Sequence, residues 1–192
     1  MKRRYRDYRS VKHLIRDGDL LNWRADPNAL SRVTAKTSRG EHSHSSLAAR
    51  RGLEVICLET IAGIGCRAVD LENLVWQYPG QCDVFRGNYH SLAAGSTAVE
   101  YCWRQTGLPY GRGSWWRCLL RRIPIIRVLM KTPTDDQANG SLPDCSGLVA
   151  RAVWAAGDDP VPNLSDDATE PADLVRSEFF GGGYLFTLIC DD

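Results

Sequence analysis

The sequence of 192 residues has no long apolar run: its uninterrupted hydrophobic stretches are a few residues each, far short of the roughly 20 that a membrane-spanning helix needs. The basic N-terminus, Met1 to Leu21, is followed by no apolar h-region. The sequence therefore predicts a chain made in the cytosol without a signal peptide, and any export would take a signal-independent route. Net charge is nearly absent too, with 24 Lys and Arg against 23 Asp and Glu. That balance argues against a globally basic nucleic-acid binder, and no nucleic-acid partner is expected. Internal repeats and low-complexity tracts are missing. With 43% hydrophobic and 24% charged residues, the composition is that of an ordinary globular chain, which excludes wholesale disorder. A length of 192 residues fits one domain, taken as 1–192.

Seven cysteines are present, an odd number, and none forms a C-x-x-C or lies beside a histidine pair at zinc spacing. A disulfide framework and a structural metal site are both disfavoured, and no metal or cofactor is expected. Most of the cysteines lie in apolar surroundings, as in Val55-Ile56-Cys57-Leu58 and Glu100-Tyr101-Cys102-Trp103, and read as small buried hydrophobes. Charge is unevenly placed. Met1 to Arg24 carries eight basic and three acidic residues, Gly111 to Lys131 six basic and no acidic ones, and Asp158 to Asp192 nine acidic residues and one Arg.

Turn and cap residues divide the chain. Leu20 to Trp23 reads as a strand, Pro27 opens a polar helix to about Thr37, and strands His44–Ala49 and Leu53–Thr60 follow. Val69 closes another strand, and Asp70 caps a helix over Leu71–Gln77 that Pro79-Gly80 stops. Cys82–Arg86 is a strand, Ser91–Gln105 a helix, and Asp144 caps a helix ending at Gly157. Pro171 starts a short helix before a last strand, Tyr184–Ile189. Helices and mostly antiparallel strands in one unit predict an α+β fold, an antiparallel sheet or small barrel packed against helices.

Cys145 stands apart from the other cysteines. Asp144-Cys145-Ser146-Gly147-Leu148-Val149 places a thiol in the first turn of a helix, where free N–H groups and the positive end of the macrodipole favour thiolate over thiol. Small neighbours, Ser146 and Gly147, let a substrate approach. A thiolate nucleophile needs a base, and there are only four histidines. His13 lies in the basic lead-in and His90 in a loop, so both read as surface residues. His42 and His44 flank Ser43 where a strand begins. If Arg51-Gly52 is a two-residue hairpin turn, paired residue numbers sum to 103, setting His44 across from Glu59 and His42 across from Ile61. Cys145, His44 and Glu59 then supply nucleophile, base and orienter.

These residues, preceded by Gly107-Leu108-Pro109-Tyr110, resemble the signature of the NlpC-like cysteine peptidases and amidases, which have a papain-like fold. In ordinary members the Cys motif precedes the His strand. Here Ser43-His44 comes about 100 residues before Cys145, an order similar to the circularly permuted YiiX/YebB-like branch, with lecithin:retinol acyltransferase-like enzymes as more distant relatives. Gly18-Asp19-Leu20-Leu21, Leu58-Glu59, Asp83-Val84-Phe85-Arg86 and Pro171-Ala172-Asp173-Leu174 resemble further elements of that branch in the same order. Ser45-Ser46 departs from its usual apolar residue and Gly. The resemblance implies a permuted papain-like fold and a hydrolase with a Cys145–His44–Glu59 triad. It also implies a thioester acyl-enzyme and an amide substrate, a bacterial cell-wall peptide first. Tyr110, Asp144, Ser146 and Trp115 are the expected substrate contacts. Hydrolysis or transfer of a lipid acyl group, and a non-catalytic binding module on the same fold, remain open alternatives.

The least regular segment, about 111–142, reads as a basic insertion in which Trp115, Trp116 and several aliphatic residues alternate with Arg112, Arg117, Arg121, Arg122 and Arg127. Residues 111–131 suit a membrane interface or an anionic polymer. The insertion lies between Tyr110 and Cys145 and is expected to wall the substrate cleft.

Overall fold

A computed structural model describes residues 2–24, 40–110, 143–162 and 164–190. The expected helix over Pro27–Thr37, the basic insertion with Trp115, and Cys118 lie outside the described residues. Among the described residues, seven strands form one sheet: β1 (Tyr5–Asp7), β2 (Leu20–Arg24), β3 (His42–Arg51), β4 (Glu54–Ile61), β5 (Gly65–Asp70), β6 (Cys82–Phe85) and β7 (Tyr184–Ile189). Their order is β1-β7-β6-β2-β3-β4-β5. Only β1 and β7 run parallel; every other pair is antiparallel. The longer helices are α1 (Tyr8–Val11), α2 (Leu71–Gln77), α3 (Leu92–Gln105), α4 (Cys145–Ala155) and α5 (Pro171–Arg176). The fold is α+β, as the element pattern predicts. The edge strand β1 and helix α1, in the basic lead-in, are three and four residues long, too short to show a hydrophobic period.

The period of two along the strands divides the core between two faces. Leu20, Leu47, Leu58 and Phe85 pack with Ala98 and Val99 of α3 and with Leu148, Val149, Ala152 and Val153 of α4. Their neighbours Leu21, Ala48, Cys57 and Val84 turn to the opposite face, against Tyr8, Val11, Leu71, Leu74 and Val75. Both faces of the central strands are thus covered, which is why Leu20, Leu21, Asn22 and Trp23 are all buried. Asp70 and Asp144 cap the helices they are expected to cap, and Ser91, expected as the first helical residue, is the cap of α3. The side chain of Asp70 accepts from the Glu72 N–H, that of Ser91 from the Ala94 N–H, and that of Asp144 from the Gly147 N–H.

The β3–β4 hairpin corrects the expected register. Its turn is Gly52-Leu53, not Arg51-Gly52: Arg51 faces Glu54 and Leu47 faces Leu58, so paired numbers sum to 105. Gly52 has φ +63°, the left-handed conformation that glycine adopts at no steric cost. The turn therefore centres one residue later than expected, and the pairing moves by two. Among the described residues, no helix is long and apolar enough to cross a membrane.

Candidate active site

Cys145 is the first residue of α4. The carboxylate of Asp144 caps that helix by accepting from the Gly147 N–H at 2.7 Å, and the Asp144 carbonyl accepts from the Leu148 N–H. The N–H groups of Cys145 and Ser146 have no acceptor within the helix. Apolar residues one turn on, Leu148 and Val149, anchor α4 in the core. The sulfur is thus held at a fixed helix end while Cys145 itself stays partly exposed.

His44 of β3 lies close enough to that sulfur for the Cys145 side chain to raise its pKa. Its Nε2 lies 2.7 Å from Oε2 of Glu59 on β4. Nε2 is taken by the carboxylate, so Nδ1 is the ring nitrogen left for the thiol. A shift of two residues keeps every side chain on its face. On the extension of the observed ladder Glu59 faces Ser46, and His44 is its diagonal neighbour, a separation that a glutamate and an imidazole can span. Burial alone would push the His44 imidazole down, but its hydrogen bonds to Cys145 and Glu59 outweigh burial and raise it to about 10. Burial likewise raises the Glu59 carboxyl, yet His44 and Arg67 bring it below its ordinary value.

Arg67 was not anticipated. It faces Glu59 across β4–β5, with Nε 2.9 Å and Nη2 2.7 Å from Oε1. The signal was present in the sequence as Ala62-Gly63-Ile64, a loop between two short strands that sets residues 59 and 67 opposite each other.

His42 also departs from expectation. Instead of an apolar neighbour it has Asp83 of β6, with Nε2 2.9 Å from Oδ2, and its ring meets Phe85 edge-on. A shift in the β2–β3 register is the cause: Trp23 faces His44 and Arg24 faces His42, so Ser43 is an extra residue on β3. Such a bulge re-aims the side chains on either side of it. Asp83 is fully buried and also accepts from Thr187, and its carboxyl is held below its ordinary value by His42, Thr187 and Arg24 against the cost of burial. His13 is exposed, and His90 is paired with Asp158 at 2.9 Å, also at the surface.

The remaining expected contacts separate. Ser146 is buried and donates its hydroxyl to the Thr169 carbonyl at 2.6 Å, so its side chain ties α4 to the 165–169 turn and is not free to meet a substrate. Asp144 acts as the helix cap. Tyr110 ends a loop stitched to β5: the Cys66 N–H donates to the Leu108 carbonyl and the Gly107 N–H to the Cys66 carbonyl, both at 2.8 Å. Gly65, at φ +97°, permits this, because a Cβ there would lie 2.3 Å from the Leu108 oxygen. Gly107 and Leu108 are therefore held one residue along β5 from Arg67.

No family profile matches the sequence, and no curated protein is similar to it in sequence. Its three-dimensional structure is similar to the crystal structure of metalloprotein yiiX from Escherichia coli O157:H7, DUF1105. The TM-score is 0.63 over 90% of this chain and 97% of that one, at 12% identity. The chain has a YiiX-like fold. At that identity the likeness concerns the fold alone. Among the described residues, no group of three His, Cys, Asp or Glu side chains could hold a metal ion.

Proposed function

We propose that the protein is a cysteine hydrolase of permuted papain-like architecture that cleaves an amide bond through Cys145, His44 and Glu59. One observation carries the reading: a single imidazole joins a carboxylate at 2.7 Å to a thiol at a helix N-terminus. The sulfur attacks the substrate carbonyl carbon while the thiol proton resides on His44. The oxyanion formed is met by the Cys145 N–H at the helix end. His44 then gives its proton to the leaving amine as the C–N bond breaks, and a thioester remains on Cys145. Water attacks that thioester, passing a proton to His44, and the thiol is restored as the acid leaves. Glu59 fixes the ring so that Nδ1 faces sulfur, and stabilises the imidazolium.

The neighbour is named a metalloprotein. Among the described residues no group of three His, Cys, Asp or Glu side chains could hold a metal ion, and the roles given to Cys145, His44 and Glu59 need none. The first substrate to examine is a bacterial cell-wall peptide, which the resemblance of the Cys145 and His44 motifs to NlpC-like enzymes suggests. Incubation with purified peptidoglycan and, separately, with phospholipid, followed by mass spectrometry, tests this. Soluble peptides with new termini, absent with Cys145→Ala, are expected; released fatty acid instead would transfer the same chemistry to lipid acyl groups, and neither product would favour a binding module.

A further inference from the structure

We propose that Arg67 is a positioning residue of this site, the counter-charge that keeps Glu59 ionised and oriented so that His44 can hold its proton. The inference rests on the cysteine-hydrolase reading above and extends it to a fourth side chain. Glu59 is 3% exposed. A carboxylate so buried is costly unless its charge is balanced and its oxygens are bonded. Its two oxygens are divided: Oε2 belongs to His44 and Oε1 to the Arg67 guanidinium through Nε and Nη2. A carboxylate gripped at Oε1 from β5 cannot turn away from the imidazole, which is what an orienting group requires.

Charge leads to the same conclusion. With sulfur as thiolate, the line Cys145, His44, Glu59, Arg67 alternates negative, positive, negative, positive, and sums to zero. Without Arg67 the same ionised line carries an uncompensated negative charge in a buried place, and the cheapest relief is for Glu59 to take a proton. A neutral Glu59 no longer stabilises an imidazolium, so the thiolate–imidazolium pair loses population. The groups around Glu59 leave Arg67 in that role among the described residues. β3 presents His44, β5 presents Arg67, and Cys57 neighbours it on β4.

The test is the rate of alkylation of Cys145 by iodoacetamide between pH 4 and 9, read at that residue by peptide mass spectrometry. It needs no knowledge of the substrate. The protein variants are the wild type, Arg67→Gln, Arg67→Lys, Glu59→Gln and the Arg67→Gln/Glu59→Gln double variant. Arg67→Gln keeps donors and removes charge, and should move the acid limb upward by about 1–3 pH units, the range an adjacent Arg imposes on a carboxyl. Arg67→Lys should restore most of the wild-type limb. In the Glu59→Gln background Arg67→Gln should have no further effect, a result that a general loss of folding would not give. An Arg67→Gln profile that superimposes on the wild type, or an Arg67→Lys profile shifted as far as Arg67→Gln, overturns the role of the charge while leaving the triad intact. A wild-type Cys145 that is no faster than the other thiols overturns the hydrolase reading, and this inference with it.

Discussion

His44 and Glu59 meet across a diagonal of the β3–β4 hairpin, with Nε2 and Oε2 2.7 Å apart, on a ladder whose rungs sum to 105. The diagonal separation is spanned by the full length of the glutamate side chain, so shortening it by one methylene takes the carboxylate away from Nε2. Glu59→Asp should therefore lose activity although the charge is kept. We expect its kcat to fall at least as far as that of Glu59→Gln, with KM little changed. Steady-state kinetics on the cleaved substrate checks this.

Nucleophile and base act as a unit. Cys145→Ala should abolish turnover, and His44→Ala should lower kcat by about 10²–10⁴-fold, the span general acid–base catalysis supplies. Glu59→Gln should retain more activity than either. Single-turnover assays with acid quench separate these effects from product release. Wild-type rates in His44→Ala would contradict the mechanism.

The pH dependence has a definite sign. The His44 imidazole is raised from 6.5 to about 10, so the charge pairs it makes stabilise the fold fully below its ordinary value and are lost as pH rises through about 10. The Glu59 carboxyl is lowered, so its contribution is present above the ordinary carboxylate value and disappears as pH falls below it. Activity should accordingly fall on the alkaline side near pH 10. Urea unfolding of the wild type and His44→Gln at pH 7 and pH 11 checks the stability arm: the difference between the two proteins should shrink at the higher pH.

His42 is expected to act on stability. It is buried beside a fully buried Asp83, and its removal leaves that carboxylate one hydrogen bond short. His42→Ala should cost about 1–3 kcal/mol in a denaturant titration, where an apolar neighbour would have made the change mild. His42→Asn, which can still donate, should recover part of the loss.

Much of the architecture was legible because local chemistry and tertiary structure agree. Asp70, Ser91 and Asp144 cap the helices they precede, and strand β7 has the bounds its apolar pattern suggests. The pairing of His44 with Glu59 was readable from face parity, which survives a two-residue register error, and Cys145 from its place at the start of a capped helix. Three features were not. The turn at Gly52-Leu53 depends on which of two adjacent residues takes φ of +63°. The Ser43 bulge that sends His42 to Asp83 arises from the β2–β3 pairing, whose partner strand lies twenty residues away. Ser146 looked available because it is small and next to Cys145, but helix geometry turns its hydroxyl inward to Thr169.

The central claim is that His44 activates Cys145. The most direct measurement is the second-order rate constant for iodoacetamide at each cysteine at pH 7, in the wild type and in His44→Ala. Cys57, Cys66, Cys82 and Cys102 are buried and serve as internal slow references. Cys145 should be alkylated far ahead of them in the wild type, and this advantage should collapse in His44→Ala. A Cys145 that reacts no faster than the buried thiols, or one equally fast without His44, would contradict it.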